Sequence, residues 1–174
     1  MTHAKQTTDP LRSFGYQVRA THRAFDRQLQ RHLSRHKLNN GFWYVLRVLW
    51  EKEGLTQVEL SREVNLVESS LVLTLEAMKR AGLVRRARDR EDKRRMRTYL
   101  TPKSRAMKPK LLPYAARINA IAAEGIPQKD LEGLLAVLAK MRANLERANA
   151  HPSSRGAQSP EIPASRVQPR SRRS

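Results

Sequence analysis

The 174-residue chain predicts a mainly α-helical fold that carries one small β-hairpin, on three observations. Apolar residues at three- and four-residue spacing, or helix-start signals, mark six segments, whereas strand-like runs occur only at about 83–88 and 96–100, on either side of a charged tip. Seven Gly and few aromatic residues also suit helices better than a sandwich or barrel.

The elements follow in order. Residues 1–9 read as a flexible arm. Pro10 opens a helix to about residue 36, with the stripe Leu11, Phe14, Val18, Phe25, Leu29 and Leu33. Asn39-Asn40-Gly41 breaks it. A very apolar helix follows at about 42–53 (FWYVLRVLW), ended by Gly54. Thr56-Gln57-Val58-Glu59 has the spacing of a capping box, in which the Thr oxygen takes the Glu amide proton and the Glu carboxylate caps back. That helix reaches Val64, and Asn65, tolerant of a left-handed backbone, makes a turn. The next helix, at about 68–81, closes at Ala81–Gly82, with an apolar stripe from Leu66 through Leu71 and Leu75 to Met78. Beyond the two strands, Thr101-Pro102 is a cap followed by Pro at the first helical position. This helix runs to about residue 124, with a kink or break expected at Pro109 and Pro113. Pro127 starts a last helix to about 149, apolar along Leu131, Leu134, Leu135, Leu138, Met141 and Leu145. Residues 151–174, with Ser, Pro, Arg and Gln and almost no apolar content, read as a disordered basic tail.

Two short helices joined at Asn65 and followed at once by a hairpin form a winged helix-turn-helix. The helix-turn-helix spans 55–81 and the wing 83–100, within one domain over 10–150. The flanking helices, 10–36, 102–124 and 127–149, carry apolar stripes with no second domain to cover them. The economical cover is a second copy, so these helices are expected to dimerise.

The net charge of +19 points to a polyanionic partner, and the tail does not account for it: residues 1–150 alone hold 30 basic and 15 acidic side chains. Eight of the basic residues lie between Arg85 and Arg97, against Asp89, Glu91 and Asp92. A helix in the major groove with a cationic loop at the minor groove is the geometry this layout suits. With no Cys there is no disulfide, thiolate metal site or thiol redox switch. No apolar run reaches bilayer length and the first residues lack a signal-peptide core, so a cytoplasmic protein with no membrane partner is expected. No Gly-rich phosphate loop, nucleophile–base pair or metal set is evident, which argues against an enzyme and against a cofactor.

The segments LTQVELSREV, LEAMKRAGLVRR, DREDKRRMRTYLTPKSRAM and IPQKDLEGLLAVLAKMRANL resemble the multiple-antibiotic-resistance regulator (MarR) family, over about residues 11–147. The resemblance implies a homodimeric repressor on a near-palindromic operator, released by a small phenolic or aromatic-acid effector. Departures are visible. Where the family's recognition helix often begins Gly-x-Ser-Arg-x-Thr-x-Thr-Arg, this chain has Asn65, Val67, Glu68, Ser70, Val72 and Leu73, with Leu73 at the usual base-reading Arg. Ser104 stands where Gly is common.

Asp92-Lys93-Arg94-Arg95 matches the family's wing tip. Arg94 is expected at the minor groove, since a planar, weakly hydrated guanidinium suits a narrow electronegative groove. Asp92 is expected to pair with an Arg and hold the tip, and Lys93, Arg95, Arg86 and Arg88 to neutralise phosphates, or else to be solvated strand residues. Ser69, Ser70, Val72 and Leu73 would meet base edges, Val72 or Leu73 being alternatively core. Thr56 and Gln57 sit at a helix N-terminus suited to phosphate.

For an effector, Trp43, Arg47 and Trp50 share one helix face, and a guanidinium between two indoles suits an aromatic carboxylate. The alternative is Arg47 bonded to helix-end carbonyls or to an acid. His22 is a ligand contact, or else a satisfied core or dimer-interface His; Tyr16, Arg19 and Tyr114 are further pocket candidates, or else exposed or interface residues. His32 and His36 stand four apart but lack the further ligands a metal needs. The competing function is an effector-independent, weakly specific structural DNA-binding protein, for which the charge alone would suffice.

Overall fold

The structure, a computed structural model, describes residues 9–64, 66–89 and 91–150. The arm up to residue 8, the turn at Asn65 and the basic tail lie outside the described residues. Two units are present, Met1–Glu124 and Gly125–Ser174.

In the first unit, helix α1 spans Phe14–Leu33 rather than starting at Pro10. A 3-10 turn over Pro10–Arg12 precedes it, and Ser13 caps it by accepting the Tyr16 amide at 3.4 Å. Asp9 caps the 3-10 turn by accepting the Leu11 amide at 2.9 Å, and Ser13 supplies the separate N-cap at which α1 begins. Only the C-terminal half of its stripe, Phe25, Leu29 and Leu33, meets the core; Leu11, Phe14 and Val18 are exposed. A 3-10 turn, Ser34–His36, and Lys37 at φ 57° end the helix. Of Asn39-Asn40-Gly41 only Asn39 lies outside a helix. Its side chain accepts the Phe42 amide at 2.8 Å and caps α2, Asn40–Glu51. Helix α2 is the centre of the core, with Trp43, Val45, Leu46, Leu49 and Trp50 buried.

The sheet has three strands, not two: β1 (Leu55–Thr56), β2 (Val84–Arg88) and β3 (Met96–Leu100), in the antiparallel order β1-β3-β2. A two-residue strand has no periodicity to read. It exists because Gly54, at φ +76°, turns the chain out of α2 and lays Leu55 against Thr98. Between β1 and β2 lie α3 (Gln57–Val64) and α4 (Glu68–Arg80). The register pairs Val84 with Leu100 and Arg88 with Met96, placing both hairpin strands within a residue of expectation.

The single helix expected over 102–124 is two. Helix α5, Pro102–Arg105, carries a capping box between Thr101 and Ser104, and α6 spans Lys108–Ala123. The break follows from Pro109, which has no amide to donate to the Arg105 carbonyl and is tolerated only in the first turn of a new helix. Pro113 lies inside α6 and leaves the Pro109 carbonyl without that donor. Leu111 and Ile118 seal α6 onto the core. The second unit contains α7, Gln128–Ala150, whose Leu134, Leu135, Val137, Leu138 and Leu145 are exposed. Among the described residues no helix is long and apolar enough to cross a membrane.

Candidate nucleic-acid interface

The helix-turn-helix is set by two local devices. At the start of α3 the capping box is formed as its spacing predicts: the Glu59 amide reaches the Thr56 hydroxyl at 3.3 Å, and the Thr56 amide reaches the Glu59 carboxylate at 2.7 Å. The Thr56 hydroxyl also donates to the Glu59 carboxylate, at 2.9 Å, and the Thr56 amide first, then this hydroxyl, hold the Glu59 carboxyl below its ordinary pKa. In α4 the stripe Leu71, Leu75 and Met78 is buried, which turns the opposite face outward. Ser69 and Ser70 are exposed, Val72 is 37% exposed and Leu73 is 74% exposed. Leu73 is therefore not a core residue, and the four expected base-edge side chains lie on accessible surface.

The wing is organised by a residue the sequence reading did not single out. Asp89 is buried at the neck of the hairpin. Its carboxylate accepts the amides of Glu91 (2.7 Å) and Asp92 (3.2 Å) and pairs with the Arg97 guanidinium. Arg97, then the two amides, draw the Asp89 pKa down to about 2. Arg97 also donates to the Gly54 carbonyl at 2.7 Å and lies 3.7 Å from the Glu59 carboxylate, so one guanidinium ties the wing to the start of α3. The register pairs Ala87 with Arg97 and Arg88 with Met96, so Asp89 and Arg97 meet diagonally across the neck, an arrangement that no local sequence signal marks. Asp92 behaves as expected, holding Arg95 at 3.1 Å and accepting the Arg94 amide at 3.0 Å.

Lys93, Arg94 and Arg95 are exposed at the tip, and Arg88 is exposed on β2. Arg86 departs from the expected phosphate-facing position. It is half-buried, its guanidinium 3.9 Å from Glu76 of α4 and its Nε without a partner. Strand β2 alternates faces, and this position turns toward α4. A cleft of about 600 Å³ lies between the starts of α3 and α4 and the wing; Thr56, Gln57, Glu68, Arg86, Arg94 and Arg95 are among its lining residues.

The expected effector clamp does not form. Trp43 and Trp50 are buried and meet edge-on at 5.8 Å, and the Trp50 indole donates to the Ser104 carbonyl at 3.0 Å. Arg47 is exposed and lies over Trp43 alone, at 5.8 Å. A guanidinium drawn between indoles inside the core would be desolvated without an acid to pair it, so it stays in water. A cavity of about 150 Å³ opens instead between α1, α2 and α6, lined by Phe25, Asp26, Leu29, Trp43, Tyr44, Ala115, Ile118 and Asn119. The Tyr44 hydroxyl donates to Asp26 at 2.6 Å and lies 3.3 Å from His22 Nε2. Burial, reinforced by Asp26, holds the Tyr44 phenol well above its ordinary pKa. Of the expected effector residues, Trp43 lines this cavity and His22 touches its Tyr44. Tyr16 and Arg19 are exposed on α1, and Tyr114 stacks on His32 at 4.5 Å. Phe25 and Ile118 had no distinguishing sequence signal, because apolar residues at helical spacing are ordinarily core, and Asp26 and Tyr44 pair across 18 residues with nothing local to mark it.

A helix-turn-helix joined to a three-stranded sheet with a cationic hairpin defines a winged helix-turn-helix protein. Residues 38–96 match the MarR family. The chain is 35% identical over 130 residues to the HTH-type transcriptional regulator TtmR of Methylorubrum extorquens (strain PA1). That alignment covers 75% of this chain and 66% of TtmR's length. Among solved structures it resembles the transcriptional regulator PA3341, at 32% identity and TM-score 0.71, over 78% of this chain and 99% of that one. It also resembles a MarR-family transcriptional regulator from Silicibacter pomeroyi, at 27% identity and TM-score 0.68, over 78% of this chain and 92% of that one. The chain belongs to the MarR family.

Proposed function

We propose that the protein is a cytoplasmic, homodimeric transcriptional repressor that binds a near-palindromic DNA operator. The observation that carries this reading is the accessible face of α4 beside a wing whose cationic tip is held by Asp89 and Asp92, in a chain of net charge +19. Helix α4 enters the major groove and Arg94 the minor groove. Lys93, Arg88 and the Gln57 amide meet phosphates, the Thr56 amide being engaged by the Glu59 carboxylate. The exposed apolar residues of α7 and of the first turns of α1 are covered by a second copy, which sets two recognition helices about one DNA turn apart. The test is fluorescence anisotropy on the dimer with Arg94→Ala. A loss of at least tenfold in operator affinity is expected, and near-unchanged affinity would remove the wing assignment.

The effector is a small aromatic molecule in the cavity beside Trp43. The Asp26 carboxylate on its wall disfavours an aromatic acid, so a phenol is the better fit of the two classes. It releases DNA only by binding the non-operator spacing of the recognition helices more tightly. Quenching of Trp fluorescence by phenols, weakened in Ile118→Trp, is the expected result; equal quenching by both forms excludes this cavity. A second reading, weakly specific structural DNA binding, is favoured by the absence of any basic residue in α4 before Lys79. An operator-to-random affinity ratio near one would select it.

A further inference from the structure

The described face of α4 is chemically unusual for a helix that reads DNA. From Glu68 to Met78 it carries no Lys or Arg; the only charges are Glu68 and Glu76. The bidentate contact of Arg or Lys to guanine N7 and O6, the commonest specific contact in the major groove, is closed to it. What it presents instead is aliphatic. Leu73 is 74% exposed and stands opposite the buried Leu71–Leu75–Met78 stripe, in line with Ser69 one turn before and Glu76 one turn after. Val72 is exposed beside it. Neither side chain contributes to the core, so the fold gives no reason for apolar residues there. The Thr74 hydroxyl is engaged with the Ser70 carbonyl at 3.0 Å, which withdraws one further polar group from this surface.

The surroundings say what covers this face. Lys79 and Arg80 lie in the last turn of α4, and Arg94 and Arg95 line the cleft at its first turn. A partner that offers anionic rails with apolar groups between them is duplex DNA, whose phosphates flank the one apolar group in the major groove, the thymine C5-methyl.

We infer that Leu73, with Val72, is the specificity-determining element of the recognition helix, and that it reads thymine methyl groups rather than guanine. This rests on the proposed DNA-binding role and adds to it the base class that each half-site must contain. Thymines sit under Leu73 in both half-sites. Ser69 and Ser70 supplement them with hydroxyl contacts, and guanine N7 in those positions is not contacted by α4.

The test uses the full-length protein. Duplexes are selected from a random-sequence pool, and the best is resynthesised in two altered forms: with deoxyuracil for thymine in the half-sites, which removes only methyls, and with 7-deazaguanine for guanine, which removes only N7. Anisotropy at fixed salt is expected to show about a fourfold loss for each contacted methyl, the ratio corresponding to burial of one methylene-sized group, and a change under twofold for 7-deazaguanine. In Leu73→Ala the thymine-to-uracil ratio falls toward one, while Leu73→Met keeps it. This cycle separates contact from any change in DNA shape. Leu73 is exposed, so the variants keep the wild-type melting temperature. Equal affinity for the thymine and uracil duplexes, a ratio unchanged in Leu73→Ala, or a strong 7-deazaguanine effect overturns the inference while leaving operator binding intact. Failure to enrich any duplex overturns the DNA-reading role itself, and the inference with it.

Discussion

Ser104 gives the sharpest energetic prediction, because its side chain joins the wing to α5 through bonds that can be separated. Its hydroxyl donates to the Leu83 carbonyl at 2.6 Å and accepts the Thr101 amide at 3.0 Å, and the residue is fully buried. Ser104→Ala removes one oxygen and leaves almost no void. The Thr101 amide keeps its second acceptor, the Leu83 carbonyl, at 3.1 Å, so no donor is orphaned. The Trp50 indole bonds the Ser104 backbone carbonyl and is untouched. What is lost is half of a capping box, about 1 kcal/mol, and one buried hydrogen bond, about 1 kcal/mol. The sum, about 2 kcal/mol, corresponds to a fall of roughly 4–8 °C in melting temperature for a domain of this size. Calorimetry or circular dichroism reads the shift. DNA affinity at 25 °C is expected within twofold of wild type, because the native state still dominates. A shift below 1 °C would refute the reasoning, since it would mean that the hydroxyl holds nothing that Ala cannot.

Gly54 is required at φ +76°, and a Cβ there would stand 3.2 Å from the Tyr99 ring. Gly54→Ala is therefore expected to lower stability by about 1–2 kcal/mol, seen as a reduced urea midpoint; an unchanged midpoint would show that the turn relaxes freely. Asp89, with its pKa drawn to about 2 by Arg97 and two amides, contributes stability that is complete above the ordinary carboxylate pKa of about 4 and is lost as pH falls through about 2. Relative to Asp89→Asn, wild type should be more stable at pH 5, with the difference shrinking between pH 4 and 2; a pH-independent difference contradicts the pairing. Asp89→Asn should also weaken DNA binding several-fold by freeing the tip. Leu135→Asp together with Leu138→Asp on α7 is expected to move the light-scattering mass from two chains to one, and a persistent dimer would place the interface elsewhere.

The two hairpin strands, the helix-turn-helix and the capping box were legible because each is specified within a few residues, whereas β1, two residues long, was not. Thr56 and Glu59 carry their own bonds, and the runs flanking the charged tip carry the strand signal. Pro109 announced a break, and the break came between Arg105 and Lys108, where its missing amide was needed. Long-range geometry was not legible. Trp43, Arg47 and Trp50 share a helix face on paper, but the core took the indoles and left the guanidinium in water. Asp89 and Arg97 are eight residues apart and meet only because the hairpin folds them together, and Arg97 then reaches Gly54 across the sheet.

By itself, then, the sequence determined the winged helix-turn-helix, its charge and the tip held by Asp92, all products of local backbone preference and composition. Only the tertiary structure decided that Leu73 faces out, that Arg86 turns toward Glu76, that Asp89 is the wing's anchor and that the cavity lies beside Tyr44 and Asp26. Those outcomes depend on which side chains the shared core can desolvate without leaving a charge unpaired, and that balance is struck between segments far apart in the chain.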